Sequence, residues 1–213
     1  MRTLVITLLA LSLHPLTAVC QDQGTRRPLT RADVTASIGA FSASHVVSED
    51  VCCGSNWSSS FFKGLGAGYY WTDHLKTEIE AGWPGPTEVL GGFSRRLADG
   101  TQVFGYDEHA FRTFKLSAGQ SYQFGRNALF HPFVGGGVDL TREHDIRERN
   151  TETPRGLAHT DVTETDVVRA RPFVTTGFKA YFSERGFFRG AWKLEFGSRV
   201  EGITWNAGFG VDF

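Results

Sequence analysis

Charged side chains recur two residues apart along this 213-residue chain: Lys76, Glu78 and Glu80; Arg169 and Arg171; Lys193 and Glu195, with Arg189 on the same parity. In an extended strand residues i and i+2 leave the same face, so each set forms one charged row. Lys115, Asp139, Lys179 and Asp212 occupy the matching positions of other alternating segments. Gathered on one inner face, these twelve residues supply seven cations and five anions. Two chemistries suit such a set. One is mutual neutralisation where bare charge is costly, completed by trapped water. The other is a narrow lined path for ions or small solutes. The near balance of sign favours the first.

Catalytic and metal-binding patterns are thinner. Leaving aside His14 in the N-terminal apolar stretch, the histidines are 45, 74, 109, 131, 144 and 159, and none is followed two positions later by serine. That spacing would put a base and a nucleophile on one strand face. Ser44 and His45 are strand neighbours and point to opposite faces. His109 beside Asp107 and Glu108, His144 beside Asp145, and His159 near Asp161 are ordinary polar loop companies. None has the helical i,i+4 or CxxC spacing that pre-forms a metal site, and no cofactor is expected. Cys52 and Cys53 are adjacent, too strained as a pair to staple a fold, and read as two loop thiols or a local vicinal disulfide. The polar stretch Arg142 to Asp166 reads as a solvated loop, or as a surface for partners, adhesion or lipopolysaccharide phosphates, with Arg142, Arg147, Arg149 and Arg155 as donors.

The elements that must position these residues are strands. The last eleven residues alternate strictly, with Ile203, Trp205, Ala207, Phe209, Val211 and Phe213 apolar and Asn206, Gly208, Gly210 and Asp212 between them. Seven further segments share the period of two: 33–44, 61–71, 75–83, 109–124, 131–141, 167–182 and 187–197. The links 72–74, 125–130 and 183–186 are short. The links 45–60, 84–108 and 142–166 are long and polar, and the short link 198–202 falls on their side. Glycines 64, 66, 68, 135, 137, 177, 208 and 210 fall on the charged face and leave room for long side chains.

Composition narrows the class. A net charge of -1 argues against nucleic acid as a partner. Twenty-five glycines, 13% aromatics and a mean hydropathy of -0.22 suit a barrel in which only alternate residues meet lipid. Residues 1–20 read as an export signal with a positive start and an apolar run over 4–13, cleaved after Cys20 or, as the alternative, acylated there. Residues 21–32 read as a polar periplasmic linker and 33–213 as the barrel. A soluble lipocalin-type barrel, with its apolar face inward, is the rival. Aromatic residues near strand ends and long loops on one rim argue for the membrane form.

The stretches Leu116–Gly125, His131-Pro-Phe-Val-Gly-Gly-Gly-Val138 and Ala207-Gly-Phe-Gly-Val-Asp-Phe213 resemble the small outer-membrane β-barrel family typified by the OmpA transmembrane domain, OmpX and OmpW. The resemblance spans about residues 31–213 and is specific for architecture. It implies an all-β, eight-stranded antiparallel transmembrane barrel in the bacterial outer membrane, with short periplasmic turns and longer extracellular loops. It implies outer-membrane lipid and lipopolysaccharide as surroundings and a monomer; because the sequence ends with the barrel strand, no OmpA-type peptidoglycan-binding domain is expected after it. In that family a terminal alternating strand ending in Phe is read by the barrel assembly machinery, which implies that role for Trp205, Phe209, Val211 and Phe213. The expected function is structural or surface-interacting. A lipid-A-modifying enzyme and a narrow channel are the alternatives.

Overall fold

The computed structural model describes residues 31–45, 56–96, 98–124, 129–153 and 156–213. The export signal, Cys20, most of the linker, Cys52, Cys53 and Arg155 lie outside the described residues. The strands are β1 (Ala32–His45), β2 (Asn56–Tyr70), β3 (Leu75–Pro84), β4 (Thr87–Arg96), β5 (Gln102–Gln123), β6 (Phe130–Thr153), β7 (Gly156–Tyr181), β8 (Gly186–Phe196) and β9 (Val200–Asp212). Every pairing is antiparallel, and the order β3-β2-β1-β9-β8-β7-β6-β5-β4 is closed into a ring by β3 pairing with β5.

Nine segments make eight staves. β3 pairs with β5 as far as Gly82↔Lys115, and β4 resumes on the same strand at Thr87↔Phe111. Five steps along one side answer four along the other, so β4 continues β3 after a one-residue slip. Pro84 and Pro86 explain the break, because proline offers no N–H to a ladder. The slip also reverses the facing: even residues of β3 point inward, whereas Val89 and Gly91 are the buried residues of β4. The barrel closes at the chain ends, where Ala32 and Phe213 exchange backbone hydrogen bonds of 3.1 and 2.9 Å. Chain ends and short turns therefore share one rim.

Val34, Ile38, Leu65, Ile79, Leu116, Val138, Leu140, Val174, Trp192, Trp205 and Phe209 are all exposed on the outside. Their alternating neighbours are buried inside. This is the reverse of a lipocalin-type barrel, and lipid is the medium such an outer face fits.

At the far rim the sequence reading needs correction. The stretches 84–108 and 142–166, expected as loops, are largely strand. β7 loses its β8 partner above Phe173↔Glu195 but stays paired with β6 as far as Thr153↔Gly156. It thus continues roughly 55 Å along its own direction. β4, β5, β6 and β7 form a four-stranded sheet standing beyond the barrel. Alternation failed to reveal it because β7 from Thr160 to Asp166 is exposed on both faces and needs no apolar stripe.

Candidate functional site

The inner face is filled in tiers. Nearest the chain ends, Asp33 and Asp212 lie directly opposite each other on β1 and β9. Like charges in that position repel. Lys179 answers both, with Nζ 3.1 Å from Asp33 and 2.6 Å from Asp212, and Lys76 lies 2.8 Å from Asp33. Tyr70 donates to Asp33 at 2.9 Å, Tyr181 donates to Asp212, and Gln123 donates to the Tyr70 hydroxyl at 3.2 Å. Lys179 also sits 3.7 Å from the ring centre of Phe187, which is fully buried. Lys76 pairs with Glu78 at 2.5 Å, and Arg189 reaches Glu78 at 2.8 Å.

In the middle tier Lys193 donates to Ser117 at 2.7 Å and lies 3.5 Å from Asp139 and 3.8 Å from Glu80. Lys115 pairs with Glu195 and lies 3.5 Å from Asp139. Five phenylalanines fill the remaining space: Phe41, Phe62, Phe133, Phe173 and Phe187. Four of them lie under cations, Phe41 beneath Lys115, Phe133 beneath Arg189, Phe173 beneath Lys193 and Phe187 beneath Lys179. The glycines are the counterpart of these bulky groups. A Cβ on Gly82 would come within 2.6 Å of the Phe62 ring, and one on Gly210 would overlap Phe187.

Eleven of the twelve charged residues singled out from the sequence thus line the barrel. Arg169 does not: its side chain is 47% exposed above the mouth, bonded to Glu143 at 2.7 Å. Arg171 stands just below, 3.5 Å from Glu143 and 2.9 Å from Glu201. Sequence reasoning missed Asp33, Tyr70, Tyr181, Glu143, Glu201 and the five phenylalanines. All but Glu201, which is the extra residue at the register shift between β8 and β9, fall on the inward parity of their strands, so extending that parity to every bulky or acidic side chain would have found them.

Beyond the mouth, the face that continues from the lumen carries a second charged cluster. Asp107 is fully buried and accepts from Arg147 at 2.5 Å and from Arg149 at 2.8 and 3.0 Å. Burial pushes its carboxyl up, but the hydrogen bonds and charges of Arg149 and Arg147 outweigh it and hold Asp107 below the usual carboxylate range. His109 Nδ1 lies 3.1 Å from Asp145, while its buried Nε2 meets no hydroxyl or other partner among the described residues. Such a dyad has a base and an orienting acid but no nucleophile at the ring's free end. The other pairs seen in the sequence stay apart from it: His144 lies 3.4 Å from Asp166, and His159 falls on β7 opposite Thr151. Among the described residues no three metal-ligating side chains converge.

A closed eight-stave ring, an apolar exterior and a charged filled interior define a transmembrane β-barrel of the small outer-membrane type. A solved structure agrees. The chain is similar to Neisserial surface protein A, with a TM-score of 0.53 and 12% identity over 87% of this chain and 98% of that one. The N-terminal barrel domain of OprF from Pseudomonas aeruginosa superposes with a TM-score of 0.49 and 14% identity, covering 86% of this chain and 98% of that one. No family profile and no curated protein matches the sequence.

Proposed function

We propose that this chain is a non-enzymatic protein of the bacterial outer membrane whose plugged barrel holds a rigid extracellular sheet for surface contacts. It is exported by the signal in residues 1–20 and works as a monomer among outer-membrane lipids. The filled lumen is the observation that carries this reading. The cavity between Glu78, Glu80, Arg189, Lys193 and Asn206 measures about 20 Å³, room for about one water. Ion pairs and phenylalanine rings occupy the rest of the cross-section. The interior of an eight-stranded barrel is only just wide enough to be filled by side chains, and here they fill it.

The experiment is planar-bilayer recording on the refolded full chain, paired with mass spectrometry of lipid A from cells with and without the protein. Absence of conductance steps and unchanged acyl chains are expected. Steady conductance would establish the channel instead. Altered acyl chains would establish the enzyme, for which the His109–Asp145 pair supplies the specific support among the described residues. That dyad lies on the face continuing from the lumen, away from the acyl chains.

A further inference from the structure

The outer surface of four adjacent staves carries a rung of unusual composition. Strand register aligns Leu65, Ala81, Leu116 and Leu140 across β2, β3, β5 and β6, an apolar rung that faces hydrocarbon. The next rung toward the outside is Lys63 opposite Trp83, then Phe114 opposite Arg142. The Trp83 and Phe114 rings touch, with centroids 5.7 Å apart. Above them Arg112 is directly opposite His144. Two cations therefore flank an aromatic pair, separated by three inter-strand spacings or roughly 14 Å, with a second basic row just above.

Aromatic rings mark the boundary between hydrocarbon and headgroups, so these cations stand at the height of lipid phosphates. Arg142 is 65% exposed on its side chain, and Lys63 and Arg112 are exposed with no ion pair among the described residues. The nearest carboxylate is Asp166, 3.4 Å from both Arg142 and His144. The remaining outward acids, Glu88, Glu108, Glu148 and Glu164, belong to rungs farther out. A cation that merely extends to reach water needs no partner. A rung that is cationic at both ends, centred on two rings and met by one carboxylate, Asp166 of the rung above, matches a flat headgroup with phosphates at both ends.

We propose that Lys63, Arg112 and Arg142, placed around the Trp83–Phe114 ring pair, bind the phosphorylated sugar headgroup of lipopolysaccharide in the outer leaflet. Lys63 and Arg142 take the two phosphates, and Arg112 supports the second. This assigns the phosphate contacts to the outer face. Arg147 and Arg149 are committed to Asp107 on the other face and take no part. The proposal rests on the outer-membrane reading, whose own failure would show separately, as a protein soluble without detergent.

The test is native mass spectrometry of the refolded full chain in neutral detergent, titrated with lipopolysaccharide and with the same lipid after phosphatase treatment. Phosphate removal should weaken binding about tenfold or more, and Lys63→Gln/Arg112→Gln/Arg142→Gln should lose a similar factor. Arg185→Gln, a cation of the periplasmic rim, should bind like the parent. Should the triple variant misfold, Arg112→Gln alone, which breaks no ion pair among the described residues, should still weaken binding about threefold. Equal binding of the dephosphorylated lipid, equal loss in Arg185→Gln, or parental binding by folded variants would each overturn the proposal.

Discussion

Lys179→Met should be the most damaging single substitution in the lumen. Lys179 is 2% exposed and bridges the two carboxylates that face each other across the closing seam, Asp33 on β1 and Asp212 on β9. Methionine has a similar length, so the loss is of charge and hydrogen bonds rather than volume. Asp33 would keep Lys76 and the Tyr70 hydroxyl, whereas Asp212 would lose its lysine. Breaking one buried ion pair costs about 3–5 kcal/mol, and the retained Lys76 argues for the lower end, about 3 kcal/mol. The Tyr70 hydroxyl, 2.8 Å from Nζ, loses a partner as well, adding about 1 kcal/mol. Urea unfolding in lipid vesicles, followed by tryptophan fluorescence, should therefore register a loss of about 4 kcal/mol. Adding Asp212→Asn removes the charge that Lys179 had answered and should restore about 2 kcal/mol, a coupling that a double-mutant cycle reads directly. A loss below about 1 kcal/mol, or no recovery in the double variant, would refute the seam-lock reasoning.

Three other outcomes follow from the same geometry. Gly210→Ala should destabilise the barrel by about 1–3 kcal/mol through overlap with Phe187, and urea unfolding should find part of this returned by Phe187→Leu. The four-stranded sheet beyond the barrel should resist protease from neutral pH down to about 4, the ordinary carboxyl range. Because the folded pKa of Asp107 lies below its unfolded value, its stabilisation is complete above the unfolded value and disappears as pH falls through the folded one. Proteolysis across pH should show that acid limit, and Asp107→Asn should make cleavage rapid at neutral pH. Finally, Phe213→Ala should lower the amount of barrel reaching the outer membrane in cells while leaving refolding into vesicles near normal; equal defects in both would make Phe213 a stability residue.

The lipid-spanning staves were legible because their two faces meet different media. In β9 every apolar residue from Ile203 to Val211 points outward and Asn206 and Asp212 point inward. That contrast writes a period of two into the sequence. Where it vanishes, so does the signal. Thr160, Asp161, Thr163, Glu164, Thr165 and Asp166 are exposed on both faces of β7, and nothing in their order distinguishes a strand from a solvated loop. At Pro84-Gly85-Pro86 the difficulty is one of phase. The register slip moves the inward set from even to odd positions, so a reading that carries the parity of β3 forward loses β4. The charged tiers were visible from spacing alone, but their partners were not, since Lys179 meets Asp33 from 146 positions away.

The charge inside and the apolar belt outside are two consequences of one constraint. A stave that meets lipid on one face only carries no long apolar run, because every second residue is polar. The polar half then ends in a space too narrow for bulk water, where unpaired charge is costly. Pairing alone would leave gaps between extended side chains. The five inward phenylalanines close them, and Gly82 and Gly210 provide the clearance that Phe62 and Phe187 need. Replacing these rings should therefore open the lumen before it unfolds the barrel. Phe173 borders the small central cavity and packs 4.7 Å from Lys193. Phe173→Ala should admit water beside Lys193 and allow brief conductance events in planar bilayers that the parent lacks, at a stability cost of about 3 kcal/mol. A silent bilayer with the same loss of stability would mean that the ion pairs alone seal the barrel.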